Sequence, residues 1–297
     1  MKKQVVLFLS AMCIFCMLFS TMVLANENVA EVGGVGYPTL AAAYNAVVQG
    51  SGDTITLLKT AGANSQAIQG AGLIIDENVT IDFNSNHYIF TTPAVGSTGT
   101  EHEGFQILEG NTVTLKNGYL GVSEEASNDY GMLIQNYANL TLIDMELDGT
   151  NVTRNVSQVP YVLSNNSGKV EIKGNTSITA TNSVPGAVAF DVCKYASYPV
   201  PEVYIDTTGT ITGKIEVSEG TTLEISGGLF TAELSNEWCA NGFKVIEASS
   251  ENEGEGLTPI KLYTVKVFEV AAKIGDKKYE TLKKAYDAAI DNDTITL

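Results

Sequence analysis

The sequence predicts an all-β protein, a parallel β-helix whose short strands stack coil upon coil behind a short N-terminal capping helix. Three observations support this prediction: a strand pattern that recurs along the chain, an amphipathic helix before the first strand, and an internal repeat of that helix and strand. The recurring pattern is a turn or polar residue followed by apolar, polar and apolar residues. It occurs at 78–81, 112–115, 139–142, 169–172 and 222–225.

The copies of this pattern have the spacing expected of coils in a solenoid. They begin 34, 27, 30 and 53 residues apart, and 202–205 fits an intermediate copy in the last interval. Alternation places Val113 and Leu115 inside and Thr114 outside. One coil cannot bury such an apolar face, whereas stacked coils bury it continuously. A β-sandwich also has short strands and turns, but it predicts neither the recurrence nor the capping helix. The lack of helical pattern over 54–230 disfavours an α/β fold.

The predicted capping helix lies just before the first strand. Its apolar residues fall at i, i+3, i+4 and i+7, which places them on one helical face: Leu40, Ala43, Tyr44 and Val47. Thr39 is suited to cap the start, and the Gly-Ser-Gly at 50–52 is suited to end the helix. A strand pattern follows at 53–58. Such a unit would cover the edge that a solenoid otherwise exposes.

An internal repeat is the strongest signal in the chain. Segments 32–57 and 274–297 share twelve identical residues over 24 aligned positions. Their spacing of about 240 residues indicates that each copy belongs to a whole module. We therefore expect 270–297 to begin a second, truncated module. The alternative is that this segment closes the far end of the same domain.

The remaining boundaries follow from composition. Residues 1–25 have the lysines, apolar stretch and small residues of a secretory signal, which predicts a secreted, extracellular or cell-wall-associated protein. A membrane anchor is the alternative, although the apolar run is short for one, and no later stretch reaches the length of a membrane span. The predicted divisions are the signal at 1–25, the cap helix and first strand at 26–59, the β-helix at 60–230, a closing segment with a β-hairpin at 231–269, and the second module from 270.

Charge and cysteine content exclude some partners. The chain has 34 acidic and 17 basic residues, a net charge of −17, and one arginine, Arg154. Nucleic-acid binding needs a basic surface, so no nucleic-acid partner is expected. Beyond the signal only Cys193 and Cys239 remain. Secretion would permit a disulfide between them, and two separate buried thiols are the simpler interpretation.

Six segments carry a resemblance to known proteins: 37–40 and 52–55 in the cap, 79–83 and 140–144 in the coils, and 225–230 and 237–243 at the close. The cap and coil segments resemble those of pectin lyase-like right-handed parallel β-helix proteins. The closing segments resemble the end of modules in large tandem surface proteins of gut-type bacteria. The resemblance implies a right-handed solenoid. The family includes polysaccharide lyases, hydrolases, esterases and non-catalytic surface modules, so it does not decide the function.

The sequence offers little for catalysis, so we assign no catalytic residue and expect no cofactor. Asp144, Glu146 and Asp148 lie at i, i+2 and i+4, which would place three carboxylates on one strand face. Oxygen ligands in that arrangement make a weak calcium candidate. A solvated outer strand face is the simpler interpretation. Two further segments, Glu-His-Glu at 101–103 and His87, are interpreted as a solvated loop and a turn residue.

Aromatic residues provide the candidates for carbohydrate contact. Tyr195 and Tyr198 lie in a proline-containing loop that interrupts the coils, and such loops often carry function. Tyr130 and Tyr137 lie near another interruption. The alternative is that these rings pack over the side of a coil. Trp238 is expected to anchor the closing segment.

Three functions are therefore open at this point. The preferred one is a secreted or cell-surface module without catalysis, a monomeric unit of a longer chain that acts as adhesin, stalk or carbohydrate-contacting surface. Its partners would be glycans or a host or cell-wall surface, with no membrane span after signal cleavage. The alternatives are a polysaccharide lyase or glycoside hydrolase acting on acidic or plant-type glycans, and a carbohydrate-binding module.

Overall fold

The computed structural model describes residues 28–58, 68–154, 159–249 and 261–297. The predicted signal sequence, and most of the acidic stretch at 248–259, lie outside these ranges. Of the described residues, 48% are in strands and 9% in helices, and the strands wind into a parallel β-solenoid of about five turns. The predicted fold class is therefore confirmed. None of the helices in the described ranges has the length and apolar character needed to cross a membrane.

The structure contains two short α-helices, two 3-10 helices and 25 strands among the described residues. The α-helices are α1 (Leu40–Tyr44) and α2 (Leu282–Ala288), and the 3-10 helices are Glu124–Asp129 and Asn236–Trp238. The strands are β1 (Ala30–Val32), β2 (Val35–Tyr37), β3 (Thr54–Leu57), β4 (Ile68–Gly70), β5 (Leu73–Ile75), β6 (Val79–Asp82), β7 (His87–Phe90), β8 (Glu103–Ile107), β9 (Thr112–Val122), β10 (Met132–Asn136), β11 (Asn139–Gly149), β12 (Tyr161–Asn165), β13 (Lys169–Gly174), β14 (Ser177–Ala180), β15 (Val188–Val192), β16 (Glu202–Thr207), β17 (Thr210–Thr212), β18 (Lys214–Val217), β19 (Thr222–Ile225), β20 (Leu229–Phe230), β21 (Phe243–Ser249), β22 (Lys261–Val267), β23 (Ala272–Ile274), β24 (Lys277–Tyr279) and β25 (Ile295–Thr296).

The solenoid strands form three parallel stacks. Stack A contains β3, β6, the first halves of β9 and β11, β13, β16 and β19. Stack B contains β4, β7, the second halves of β9 and β11, β14, β17 and β20. Stack C contains β5, β8, β10, β12, β15 and β18. Each coil therefore supplies one strand to each stack.

The copies of the recurring sequence pattern form strands of stack A. Its strands pair so that the first apolar residue of each copy lies in one buried column along the solenoid, which confirms the predicted coil spacing. The copy proposed at 202–205 is strand β16, in register with β13 and β19. The column consists of Val79, Val113, Leu140, Val170, Val203 and Leu223.

The bend between stacks A and B is made by residues with positive φ. Asn84, Asn117 and Asp144 have φ of 50°, 60° and 53°, and Gly174 has 65°. Glycine, asparagine and aspartate adopt this left-handed conformation with the least strain, which explains their place at the bend. In β9 and β11 the bend occupies one residue, so each strand continues through it.

The first cap, residues 28–57, covers the start of the solenoid. Thr39 caps α1, with its hydroxyl accepting a hydrogen bond from the Ala42 amide at 3.0 Å, as predicted. Leu40, Ala43 and Tyr44 are buried. The helix ends at Tyr44, so it is shorter than the sequence pattern indicated. Strands β2 and β3 pair antiparallel to β1, and β3 then starts stack A.

The far end of the solenoid is closed by an antiparallel hairpin. Strand β22 pairs with β20 and with β21, which confirms the hairpin predicted for the closing segment. The second cap, residues 270–297, follows this hairpin. Its strands β24, β23 and β25 form a separate three-stranded sheet, on which α2 packs.

Candidate functional site

The structure brings three tyrosines together on the side of the solenoid. Tyr195 and Tyr198 lie in the loop between β15 and β16, as the sequence indicated. Tyr137 joins them from the short turn between β10 and β11. The ring centroid of Tyr137 lies 4.8 Å from that of Tyr198 and 6.2 Å from that of Tyr195, and the two loop rings lie 6.2 Å apart. These residues form the tyrosine cluster.

The loop that carries two of these rings is fastened to the solenoid. The Tyr198 amide donates to the Tyr195 carbonyl at 3.1 Å, and the Ser167 hydroxyl donates to the Pro199 carbonyl at 3.1 Å. Between the two tyrosines, Ala196 has a φ of 47°. A left-handed alanine costs about 1–2 kcal/mol, so the surrounding contacts hold this turn in place.

The tyrosine cluster is partly exposed and uncharged. Tyr195 is 50% exposed, while Tyr137 and Tyr198 are half-buried. Burial, and then the neighbouring phenols of Tyr195 and Tyr198, raise the pKa of Tyr137 to about 12, against a weaker opposing hydrogen bond with Asn166. The ring planes are inclined by 31° to 67°, so the cluster is a ridge rather than a flat platform. Aromatic faces with hydroxyl groups can stack on a sugar ring and hydrogen-bond its hydroxyls.

Of the three carboxylates proposed as a weak calcium candidate, Asp144 and Glu146 are exposed and Asp148 is half-buried, while Met145 and Leu147 between them are buried. Asp144 occupies the bend, where its Oδ1 accepts a hydrogen bond from the Asn175 amide at 2.8 Å. Glu146 and Asp148 follow on the outer face of stack B. Asp148 accepts hydrogen bonds from the Tyr119 hydroxyl at 2.5 Å and from the Thr150 amide at 2.8 Å. The positive φ of Asp144 marks the point at which the buried positions change from Leu140 and Leu142 to Met145 and Leu147.

Asp144 and Glu146 border an open polar groove of about 460 Å³. In register across stack B lie His87, Tyr119, Glu146 and Ser177. The His87 ring stacks on the Tyr119 ring, with centroids 4.5 Å apart and planes inclined by 17°. His87 thus begins β7 and is not the turn residue that the sequence suggested. The described residues lining the groove include no lysine or arginine: Asp82, Asn84, Ser85, His87, Asn117, Gly118, Tyr119, Asp144, Met145, Glu146, Asn175 and Ser177.

Burial and hydrogen bonds together shift the pKa values of two groups in the groove, Asp82 and Tyr119. Burial acts to raise the pKa of Asp82, but hydrogen bonds from Asn117 and Asn84 and the Lys116 ammonium outweigh burial and hold that pKa below its ordinary value. Burial, followed by the hydrogen bond to the Asp148 carboxylate, raises the pKa of Tyr119 far above its ordinary value. The groove therefore presents the ionised Asp82 carboxylate beside the neutral Tyr119 phenol.

The segment 101–103 is not the solvated loop expected from its composition. His102 and Glu103 are buried, and Glu103 is only 1% exposed. Glu103 begins β8 and exchanges backbone hydrogen bonds of 2.9 Å with Val95, which draws its side chain under the chain at Gly96. Burial raises the pKa of Glu103 to about 7, opposed by the His102 amide and the charge of Arg154. No group of three or more His, Cys, Asp and Glu side chains in the described ranges is arranged to hold a metal ion.

The remaining predicted residues divide between core and surface. Tyr130 is fully buried, so it does not belong to the exposed cluster. Trp238 is half-buried and packs against the hydrophobic core, as expected of an anchor for the closing segment. Cys193 and Cys239 are unpaired and half-buried rather than buried, and burial is the main cause that raises the pKa of each thiol.

The tyrosine cluster and the polar groove are thus two separate candidates on the solenoid surface. Sequence reasoning named Tyr137, Tyr195 and Tyr198 among the aromatic candidates, and Asp144 and Glu146 in the weak calcium candidate. It did not join Tyr137 to the two loop tyrosines or His87 to the two carboxylates. No family model matches the chain, and no curated protein or solved structure is significantly similar to it.

Proposed function

We propose that this chain is a non-catalytic β-helix module of a secreted or cell-surface protein, of the pectin lyase-like kind, and that its tyrosine cluster contacts carbohydrate. The observation that carries the proposal is the meeting of Tyr137, Tyr195 and Tyr198 from two different coils. Part of this aromatic surface is left open to solvent.

The scaffold supports a binding role for this surface. The loop is fastened by backbone and hydroxyl hydrogen bonds, so the rings are held before a ligand arrives. A preorganised site loses less entropy on binding than a mobile one. The neutral phenols offer donors and acceptors to sugar hydroxyls without bringing a charge.

The charge of the module limits the class of glycan. A net charge of −17 repels polyanions over the distance at which unscreened charges act. We therefore expect the tyrosine cluster to bind neutral saccharides in preference to acidic ones.

Binding of the mature chain to a panel of neutral and acidic polysaccharides tests the proposal. Tyr195→Ala and Tyr198→Ala should each weaken binding of a neutral glycan by about tenfold or more, because an aromatic contact contributes on the order of 1 kcal/mol or more beyond its burial. Tyr204→Ala is the matched control, since Tyr204 is a half-buried tyrosine on stack A whose hydroxyl donates to Glu202 at 3.0 Å. Equal losses of glycan affinity in all three variants would contradict the proposal that the tyrosine cluster is the binding site.

The lyase or hydrolase alternative depends on the polar groove. Asp144 and Glu146 border that groove. Incubation with pectins and neutral glycans, with and without calcium, should release no products. Release that is lost in Asp144→Ala or Glu146→Ala would replace the non-catalytic proposal with an enzymatic one.

A further inference from the structure

The second cap reproduces the first cap element by element. Strand β23 pairs with β24, and with β25, in the same antiparallel order in which β1 pairs with β2 and β3. Thr281 caps α2 by accepting from the Lys284 amide at 3.1 Å, as Thr39 caps α1. The local structure of a cap therefore forms in both copies.

The two caps differ in what covers their apolar face. Leu40 is 1% exposed and Tyr44 is 7% exposed, whereas their counterparts Leu282 and Tyr286 are 49% and 73% exposed. Leu57, which ends the first cap, is 0% exposed, and its counterpart Leu297 is 85% exposed. Full burial of one such side chain contributes about 1.5–3 kcal/mol, so the second cap leaves a substantial stabilisation unused.

The first cap shows which surface would complete the second. The Tyr44 hydroxyl donates to Asp76 Oδ1 at 2.8 Å and accepts from the Asp76 and Glu77 amides at 2.7 and 3.0 Å. The Gly50 amide donates to Glu77 Oε2 at 3.1 Å. Asp76 and Glu77 follow β5 in the first coil, so they form a socket for the cap tyrosine.

We infer that the exposed face of the second cap docks a β-solenoid coil with the chemistry of residues 68–83. That coil would present an apolar strand and, directly after it, a carboxylate with two free amides that receive the Tyr286 hydroxyl. This inference concerns assembly and is independent of the proposed carbohydrate contact.

The charge of the second cap is compatible with this occupant. Residues 270–297 contain five lysines and five acidic residues, whereas residues 28–57 contain two acidic residues and no lysine or arginine. The second cap therefore repels an acidic coil, such as one carrying Asp76 and Glu77, less than the first cap does.

The second cap is also continuous with an existing interface. The Asn241 side chain donates to the Asp276 carbonyl at 2.8 Å and accepts from the Lys278 amide at 3.0 Å, and Lys244 pairs with Glu280. These contacts fasten the second cap to the closing segment on one side, and the apolar face remains open elsewhere.

A second copy of the chain does not offer the required surface. Within the described ranges, the first coil is already covered by α1 and the first cap. The other end of the solenoid is closed by the antiparallel pairing of β22 with β20. The fitting occupant is therefore a further solenoid coil that lacks a cap of its own.

A cap exchange within the full chain tests this inference. In the exchanged chain, residues 28–57 are replaced by the sequence of 270–297, and the rest of the protein is kept. Because the same socket is then offered to the second cap, the melting temperature should fall by less than about 5 °C, which corresponds to roughly 1–2 kcal/mol at this size. Replacement of the tyrosine that corresponds to Tyr286 by phenylalanine should destabilise this chain as Tyr44→Phe destabilises the parent.

Two controls keep the result interpretable. A cap with the same composition in scrambled order should lower the melting temperature by more than about 10 °C, since the buried leucine and tyrosine contacts are lost. An exchanged chain that melts as low as the scrambled one would overturn the inference. So would a parent chain that sediments as a dimer and becomes monomeric in Tyr286→Ser, because the occupant would then be a second copy.

Discussion

The two caps of this protein share half of their aligned residues and the same order of strands and helix, yet only one is covered by a coil. Both have a threonine N-cap, a short helix and a three-stranded antiparallel sheet. In the first cap Tyr44 is bonded to Asp76, and in the second Tyr286 is 73% exposed. The local sequence of a cap therefore determines its helix and strands, whereas burial of its apolar face requires a neighbouring coil.

The contacts common to both caps are short-range. Asp53 accepts a hydrogen bond from the Val48 amide at 3.1 Å, and Asp293 accepts one from the Ile290 amide at 2.9 Å. Both join residues that are close in the chain, as the threonine caps do. The contacts between the first cap and the first coil join residues 27 to 33 positions apart. Helix and turn can therefore form in either cap, whereas burial needs the first coil.

The largest expected effect tests burial directly. Leu40→Ala should lower the free energy of unfolding by about 2–5 kcal/mol, because it removes a fully buried side chain and leaves a cavity. Leu282→Ala should change it by less than about 0.5 kcal/mol, as an exposed substitution does. Urea denaturation of both variants measures the difference. A Leu282→Ala variant as damaging as Leu40→Ala would show that the second cap already has a partner.

The tyrosine pair tests the socket without changing the shape of the core. Tyr44→Phe leaves the Asp76 carboxylate and two amides without the hydroxyl, which should cost about 1–3 kcal/mol. Tyr286→Phe should have no measurable effect on unfolding. Equal stability of the Tyr44→Phe variant and the parent would mean that water replaces the hydroxyl and that the socket is not specific.

Alkaline pH gives a third test of the same difference. Burial, and then the hydrogen bond to Asp76, raise the pKa of Tyr44 far above its ordinary value. Because the folded-state pKa exceeds the unfolded value of about 10, the stabilisation is complete below pH 10 and is lost as the pH rises further. Tyr44→Phe should therefore reduce the fall in stability above pH 10, and Tyr286→Phe should not. The test is to measure the free energy of unfolding of both variants and the parent between pH 8 and pH 11, about one unit or more either side of pH 10.

The fold was predictable because its signals repeat. The apolar–polar–apolar pattern to which Val113 and Leu115 belong recurs at coil spacing. Thr39 precedes the apolar face of the capping helix. The bend at Asp144 was also open to prediction, since Asn117 lies one coil earlier at the equivalent position with the same positive φ. Alternation alone missed it because one left-handed residue shifts the side-chain faces of everything that follows.

The tyrosine cluster was only half predictable. Tyr195 and Tyr198 lie close together in the sequence, whereas Tyr137 reaches them across two coils. The coil spacing of 27 and 30 residues, applied twice from Tyr137, would have pointed to the loop at 193–201. Burial of Glu103 had no comparable signal, because it depends on the chain at Gly96 closing over the side chain.

The smallest expected effect concerns a contact that both caps share. Thr39→Ala should lower the free energy of unfolding by about 1 kcal/mol, because the cap of α1 is coupled to the buried first coil. Thr281→Ala removes the same hydrogen bond but should leave global unfolding unchanged, since little else depends on α2. Its effect should appear as faster amide exchange over 282–288 alone. If Thr281→Ala also lowered global stability, α2 would be coupled to the solenoid through the Lys244–Glu280 contact, and the two caps would differ less than their burial implies.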